Sequence, residues 1–263
     1  MVTKTLELTP LPGEMLKPKE LIEVRGTGKF TLEDRRIFNA LIENAWGPKM
    51  GQPGVTFEIA TGELRKLVGD NQRLRRSLEV LMTTLVEVEE GNRWRASQLL
   101  GPSELDTTVN SGVVRYSFPQ MLAELIKDST IFAKLDLEVM KSFRSKYAFS
   151  LYEALARRVR LRKFMETLSV EDLREILGVE KSKLATYGNL NKYAIEPAVA
   201  EVNAITPYTV NILPQKKGRK VIGFVMGWDV KTEEQLQVAY AEMNKHSSGR
   251  QARSSGDAEA LLE

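Results

Sequence analysis

ELRKLVG at residues 63–69 and DLREILG at residues 172–178 share one pattern across an offset of 109 residues. Each reads as a short amphipathic helix stopped by glycine. Before the first copy, Thr31-Leu-Glu-Asp34 makes a capping-box-like start, and Ile37, Phe38, Leu41, Ile42 and Ala45 share one helical face. Gly47-Pro48 ends that helix, and a Gly/Pro-rich loop to Gly54 leads into a short strand, VTFEI. After the copy comes DNQRLRRSLEVLMTTL, with Leu74, Leu78, Leu81, Met82 and Leu85 on one side. VEVEEGNRWRAS then alternates as a hairpin turning at Glu90-Gly91-Asn92. A polar loop, GPSELDTTVNSG, precedes a further strand, VVRYSF, and Pro119 opens a short helix, PQMLAELIK.

The second cycle starts near Ile131. Asp136 is expected to cap one long helix with Met140, Phe143, Tyr147, Leu151, Tyr152, Leu155 and Val159 on its apolar side. Ser169-Val-Glu-Asp172 is a second capping box. The linker VEKSKLATYG leads to the helix NLNKYAIEPAVAEVNAI, where Pro197 should kink the helix or weaken its middle turn. YTVNIL and KVIGFVMGW follow as strands around PQKKGRK. Helix, helix, helix, two-stranded wing is the winged helix-turn-helix order, and here it occurs twice. The alternative is two unrelated α+β domains with a chance seven-residue match; the order of elements weighs more than the heptapeptide in favour of the repeat. We therefore expect an α+β chain of two tandem winged helix-turn-helix domains, at 30–130 and 131–232. A flexible leader (1–29) would precede them. An amphipathic segment with Leu236, Tyr240 and Met243 would follow, then a disordered Ser/Gly/Arg tail, together spanning 233–263.

Composition narrows the chemistry. The 263 residues are 42% apolar and 28% charged, enough for two cores. There is no cysteine and a single histidine, His246, so disulfide scaffolds, thiol nucleophiles, zinc fingers and paired-imidazole sites are excluded. A Ser-His-Asp triad would have to run through His246, beside Ser247 and Ser248 in the tail. Gly26-Thr-Gly-Lys29 fails as a phosphate loop, because Glu23 stands where the first glycine belongs and Phe30 follows the lysine. No carboxylate set has metal-site spacing, so neither metal nor cofactor is expected. No signal peptide and no 18-residue apolar run is present, which points to a soluble cytosolic protein.

Net charge is only +3, yet residues 141–163 hold eight bases (141, 144, 146, 157, 158, 160, 162 and 163) and one acid, Glu153. Such concentration suits an anion-binding face. In a helix-turn-helix the second helix enters the major groove. In the first cycle that helix presents Gln72, Arg73 and Arg76, with Arg75 at the flank. In the second it presents Asn189, Lys192 and Tyr193, together with Glu196 and Asn203. Arg, Gln and Asn have the donors to read guanine and adenine edges. Lys181 and Lys183 in the linker, and Lys216, Lys217, Arg219 and Lys220 at the hairpin tip, suit phosphate. Arg144 and Lys146 precede Tyr147 on the long helix, whose distal run ARRVRLRK reads as phosphate or partner surface. For every one of these groups the alternative is an ordinary solvated face.

Ser145-Lys-Tyr147, Leu151-Tyr152-Glu153, LSVEDLREILGV, the Tyr187-centred linker, IEPAVAEVN (195–203) and the basic hairpin before VIGFVM together resemble the iteron-binding plasmid replication initiators of the RepA/RepE/π type. The likeness is strongest over 135–228. It implies two tandem winged helices, the C-terminal one being the principal reader of direct repeats in double-stranded origin DNA. The N-terminal one would contact DNA or form a dimer. It further implies monomers that open the origin and recruit host initiator and helicase, dimers that repress their own promoter, and a bacterial cytoplasmic location. Arg144 and Lys146 would grip phosphates, and a single duplex should lie across the cationic surfaces of both units. A binding protein with no catalytic step is expected. A winged-helix repressor and a metal-dependent nuclease are the alternatives.

Overall fold

The computed structural model describes residues 3–22, 24, 26–90, 92–161 and 163–245. His246 and the tail expected to be disordered lie outside them, as do Glu23, Gly91 and Arg162. The chain divides into two units, Met1–Lys134 and Leu135–Glu263, a few residues beyond the expected boundary.

The first unit follows the expected order. Helix α2 (Leu32–Ala45) is opened by Thr31, whose side chain and that of Asp34 form the complete capping box. Asp34 also accepts from the Ser77 hydroxyl at 2.6 Å, a buried bond to a residue 43 positions further along the chain. Strand β2 (Thr56–Ala60) precedes α3 (Thr61–Val68), which Gly69 ends at φ 97°. Asp70 caps α4 (Asn71–Thr83) by accepting from the Arg73 amide. Strands β3 (Leu85–Glu90) and β4 (Arg93–Gln98) form the first wing. Ile37, Leu41, Ile42, Leu64, Leu74 and Leu81 are wholly buried between the three helices.

Two features depart from the sequence reading. The polar loop contains a short strand, β5 (Ser103–Leu105), which pairs with β6 (Val113–Ser117), so that β2, β6 and β5 make one sheet. Tyr116 on β6 is buried and donates to the Leu41 carbonyl at 2.6 Å, which locks that sheet to α2. The segment 1–29 is not a flexible leader. It carries a 3₁₀ turn (Thr5–Glu7), strand β1 (Glu14–Pro18) and helix α1 (Lys19–Ile22), with Leu6, Met15, Leu16 and Leu21 buried. Strand β1 pairs with β7 (Phe132–Asp136), and Thr5 N–H reaches the Ser129 carbonyl near the end of α5 (Gln120–Lys127). These partners lie more than 100 residues away, so no local period announces them.

In the second unit the expected single helix is two. Helix α6 (Leu137–Ser142) is capped by Asp136, and α7 (Lys146–Arg158) starts afresh at Ser145. The break is held from a distance. The Glu201 carboxylate accepts from the amides of Arg144 (2.8 Å) and Ser145 (3.0 Å), and the Ser145 hydroxyl caps α7. Phe143 turns inward against Phe149 and Tyr152. Strand β8 (Met165–Leu168) has no counterpart in the sequence reading; it adds a third strand to the wing. Ser169 then caps α8 (Val170–Leu177) with a full capping box, and Gly178, at φ 66°, ends it.

A continuous helical run follows. It consists of α9 (Tyr187–Leu190), a π turn over Asn191–Ile195, and α10 (Glu196–Ile205). Pro197 has no N–H to give the Tyr193 carbonyl and its ring would crowd that oxygen, so a widened turn just before it relieves the clash. Leu190, Ala194, Ala198 and Val202 recur every fourth residue and all face the core. The wing is β9 (Tyr208–Lys217) against β10 (Lys220–Val230), with Phe224, Met226 and Trp228 pointing inward. Thr232 caps α11 (Glu233–Asn244), of which only Ala239 is buried.

Candidate nucleic-acid interface

In the first unit, Gln72, Arg73, Arg75 and Arg76 are all exposed on α4, opposite the buried Leu74, Leu78 and Leu81. Two of the three arginines already have acids beside them. Arg73 lies 3.4 Å from Asp70, and Arg75 pairs with Glu79 at 3.0 Å. Both pairs are exposed, so each is worth only about 0–1 kcal/mol and yields readily to a phosphate.

In the second unit, Asn189, Lys192 and Tyr193 stand out from the helical run, with Tyr193 54% exposed and the Lys192 ammonium 5.2 Å from its ring centre. Glu196 takes a hydrogen bond from the Asn191 amide. Asn203, placed by its spacing on the same face, is a structural clamp. Its amide donates to the Val210 carbonyl (3.0 Å) and its oxygen accepts from the Val210 amide (2.8 Å), fixing α10 to β9.

The linker and the helix start are joined. Thr186 caps α9 through the Asn189 amide, and the Tyr187 ring lies 6.2 Å from Phe224 of β10. Lys181 and Lys183 are exposed in the preceding loop. Burial pushes the Tyr147 hydroxyl upward in pKa, with Arg174 opposing the shift and Glu180 reinforcing it, which places the Ser-Lys-Tyr segment beside this loop. Arg144 is exposed at the α7 start, and Lys146 is half-buried with its ammonium 5.3 Å from the Tyr147 ring.

The hairpin tip is tighter than a loop. Only Gly218 and Arg219 turn it, with Gly218 at φ 62°, and Lys217 pairs directly with Lys220. Like charges opposed on a ladder destabilise it. Lys216, Lys217, Arg219 and Lys220 are nonetheless all exposed at this tip, so an anion bound there would relieve the repulsion.

The distal basic run is less available than its sequence suggests. Arg158 is buried, with its guanidinium 2.7 Å from Glu166 of β8 and bonded to the Ala154 carbonyl. It ties α7 to the wing and is not a phosphate contact. Lys141 pairs with Glu138 at 2.7 Å, while Arg160 and Lys163 are exposed. Arg174 and Glu201, which set the local backbone, escape a sequence reading because their partners are main-chain groups that a sequence pattern does not display. Among the described residues, no helix is long and apolar enough to cross a membrane.

Residues 14–156 match the family described as "Initiator Replication protein, WH1", and residues 169–228 match "Initiator Rep protein, WH2". Among solved structures, the fold is similar to the crystal structure of Pi initiator protein in complex with iteron DNA. The TM-score is 0.60 and the identity 17%, over 84% of this chain and 98% of that one. A comparison with curated protein sequences gives no match. The two winged-helix units and the order of their elements thus have one explanation: this chain belongs to the replication initiator protein family, with both its WH1 and WH2 domains.

Proposed function

We propose that this protein initiates plasmid replication by binding direct repeats (iterons) at the origin, with the second unit as the principal reader. The observation that carries this is the second unit's design. An exposed polar helical face (Asn189, Lys192, Tyr193) is built on a fully apolar underside, and the same unit carries a wing tip with four exposed cations. The helix reads base edges while the tip and the loop lysines hold phosphate. The first unit adds Gln72, Arg73, Arg75 and Arg76. The work is binding and deformation: contact free energy offsets bending and local unpairing of the origin, with no catalytic step. Monomers open the origin and recruit host initiator and helicase, and dimers repress the promoter.

Footprinting on the parent replicon tests this. Protection of several tandem repeats supports initiation, whereas protection of one inverted repeat by a dimer would make the chain a repressor. Cleavage of DNA in Mg²⁺ or Mn²⁺ would make it a nuclease. In a binding titration, affinity should fall on the order of 10³–10⁵-fold between 50 and 200 mM salt if roughly six to ten phosphates are neutralised. A flat salt response overturns the proposed interface.

A further inference from the structure

The loop between α8 and α9 spans residues 178–186, far longer than the two-residue turn Gly69-Asp70 at the same place in the first unit. It contains no regular element, yet its backbone is gathered around one side chain. The Arg174 guanidinium donates from Nη1 to the Leu184 carbonyl (2.9 Å). From Nη2 it donates to the carbonyls of Glu180 (3.0 Å), Lys181 (3.4 Å) and Lys183 (2.5 Å). Leu184 is held at φ 53°, a left-handed conformation that a leucine rarely adopts. The Lys183 amide closes the turn on the Glu180 carbonyl at 2.9 Å. With these carbonyls drawn inward, Lys181 and Lys183 are left exposed immediately before the Thr186 cap.

The repeat supplies a control. Arg65 occupies the position of Arg174 in ELRKLVG, but its side chain is exposed and the turn after it is too short to offer such a set of carbonyls. The same residue type thus acquires a role only where the long loop exists. A guanidinium suits that role, because its planar fork of five donors reaches several oxygens at fixed angles, which a lysine ammonium on a flexible stem cannot do.

We infer that Arg174 is a positioning residue for DNA binding. It organises the loop so that Lys181 and Lys183 meet phosphate together, and it touches no DNA itself. This rests on the DNA-binding reading above, and the wild-type titration run in parallel separates the two. If wild-type protein shows no salt-dependent binding, that reading fails. If wild type binds but the cycle below is additive, only the role of Arg174 fails.

The experiment is a double-mutant cycle on the full chain with origin DNA. Arg174→Met should lower the salt slope by about 1.8, the equivalent of two neutralised phosphates at about 0.9 each. Lys181→Ala with Lys183→Ala should lower it by the same amount. The triple variant should be no worse than either, because the lysines have nothing left to lose once the loop is released. Lys217→Ala, on the wing, should add its full effect to Arg174→Met. Hydrogen exchange at the Lys183 amide should quicken in Arg174→Met while amides of α10 keep their protection, a change that general destabilisation would not confine to the loop. Should Arg174→Met fail to fold, Arg174→Lys takes its place in the same cycle, with a smaller slope change. Full additivity with the lysine pair, or an unchanged slope, overturns the inference.

Discussion

The two wings are the same device with opposite charge. The first, β3–β4, reads LVEVEE on one strand and has a net charge of −1 over residues 85–98, with Leu85 and Trp94 exposed. The second, β9–β10, has a net charge of +3 over residues 208–230, with its four cations crowded at the tip. The helices proposed to read DNA differ too. Helix α4 is regular and carries arginines with acids at hand, whereas the α9–α10 run is interrupted by a π turn and reached through a long organised loop. A duplicated fold has therefore been specialised on one side. On the proposed function, phosphate holding falls chiefly to the second wing, while the first offers a strand pair with a net charge of −1 and two exposed apolar side chains.

The largest test of that contrast replaces Lys216, Lys217, Arg219 and Lys220 together with glutamine. Leaving four phosphates without a cation should lower the salt slope by about 3.6 and weaken binding on the order of 10³-fold at about 0.15 M salt, equally for origin and random DNA. The matching change in the first wing, Glu87→Gln, should leave affinity within about twofold, on the tighter side, since it only removes repulsion. A comparable loss from the first wing would erase the distinction. Next in size is Lys192→Ala. It should lower discrimination between origin and random DNA by roughly 1–3 kcal/mol, whereas Lys217→Ala weakens both alike. Equal losses on the two DNAs from Lys192→Ala would move that residue to the phosphate-holding class.

A third variant asks what sets the reading face. Leu190, Ala194, Ala198 and Val202 are spaced by four, wider than the 3.6 of a regular helix, and the π turn keeps them all on the core. If that spacing holds the turn, Pro197→Ala should change the dissociation constant for origin DNA by less than about threefold, because losing a buried leucine from the core would cost about 2–5 kcal/mol and outweighs one restored N–H. A loss rivalling that of Lys192→Ala in a competition assay would instead assign the face to proline.

What could be read from the chain follows the range of the interactions involved. The two capping boxes expected from the sequence, Thr31 with Asp34 and Ser169 with Asp172, close within three residues and stand as expected. So do the glycine stops and the buried stripe of the second reading helix. The break before α7 was not legible because it depends on Glu201, 56 residues from Ser145. The ordered N-terminal segment depends on β7, and the loss of Arg158 from the basic face depends on Glu166 of an unforeseen strand. At the site, residue types announced the cations. Their partners decide which of them are available, and those partners are remote acids or backbone carbonyls.

The smallest effect lies where the two reading helices end. In the first unit the Thr84 hydroxyl donates to the Val80 carbonyl at 2.8 Å, a neutral finish. In the second, Lys231 is buried and its ammonium donates to the carbonyls of Asn203 and, at 2.8 Å, Thr206, at the last turn of α10. Burial pushes the Lys231 pKa down to about 8, from 10.5. Between those values the unfolded chain binds more protons at this position than the folded one, so folding stability contributed here rises with pH. Below pH 8 both states are charged and the contribution is flat; above 10.5 both are neutral and it is flat again. The ceiling is about 1.4 kcal/mol per pH unit, and partial access of water to the ammonium keeps the real slope well under it. Denaturant melts of wild type and Lys231→Met from about pH 7 to 10.5 should give a stability difference that climbs in favour of wild type above pH 8. The same difference for Thr84→Val should not change with pH. A flat Lys231→Met series would mean that the charged lysine is as well accommodated at the end of α10 as in water. The end of the second reading helix would then be as indifferent to pH as the first.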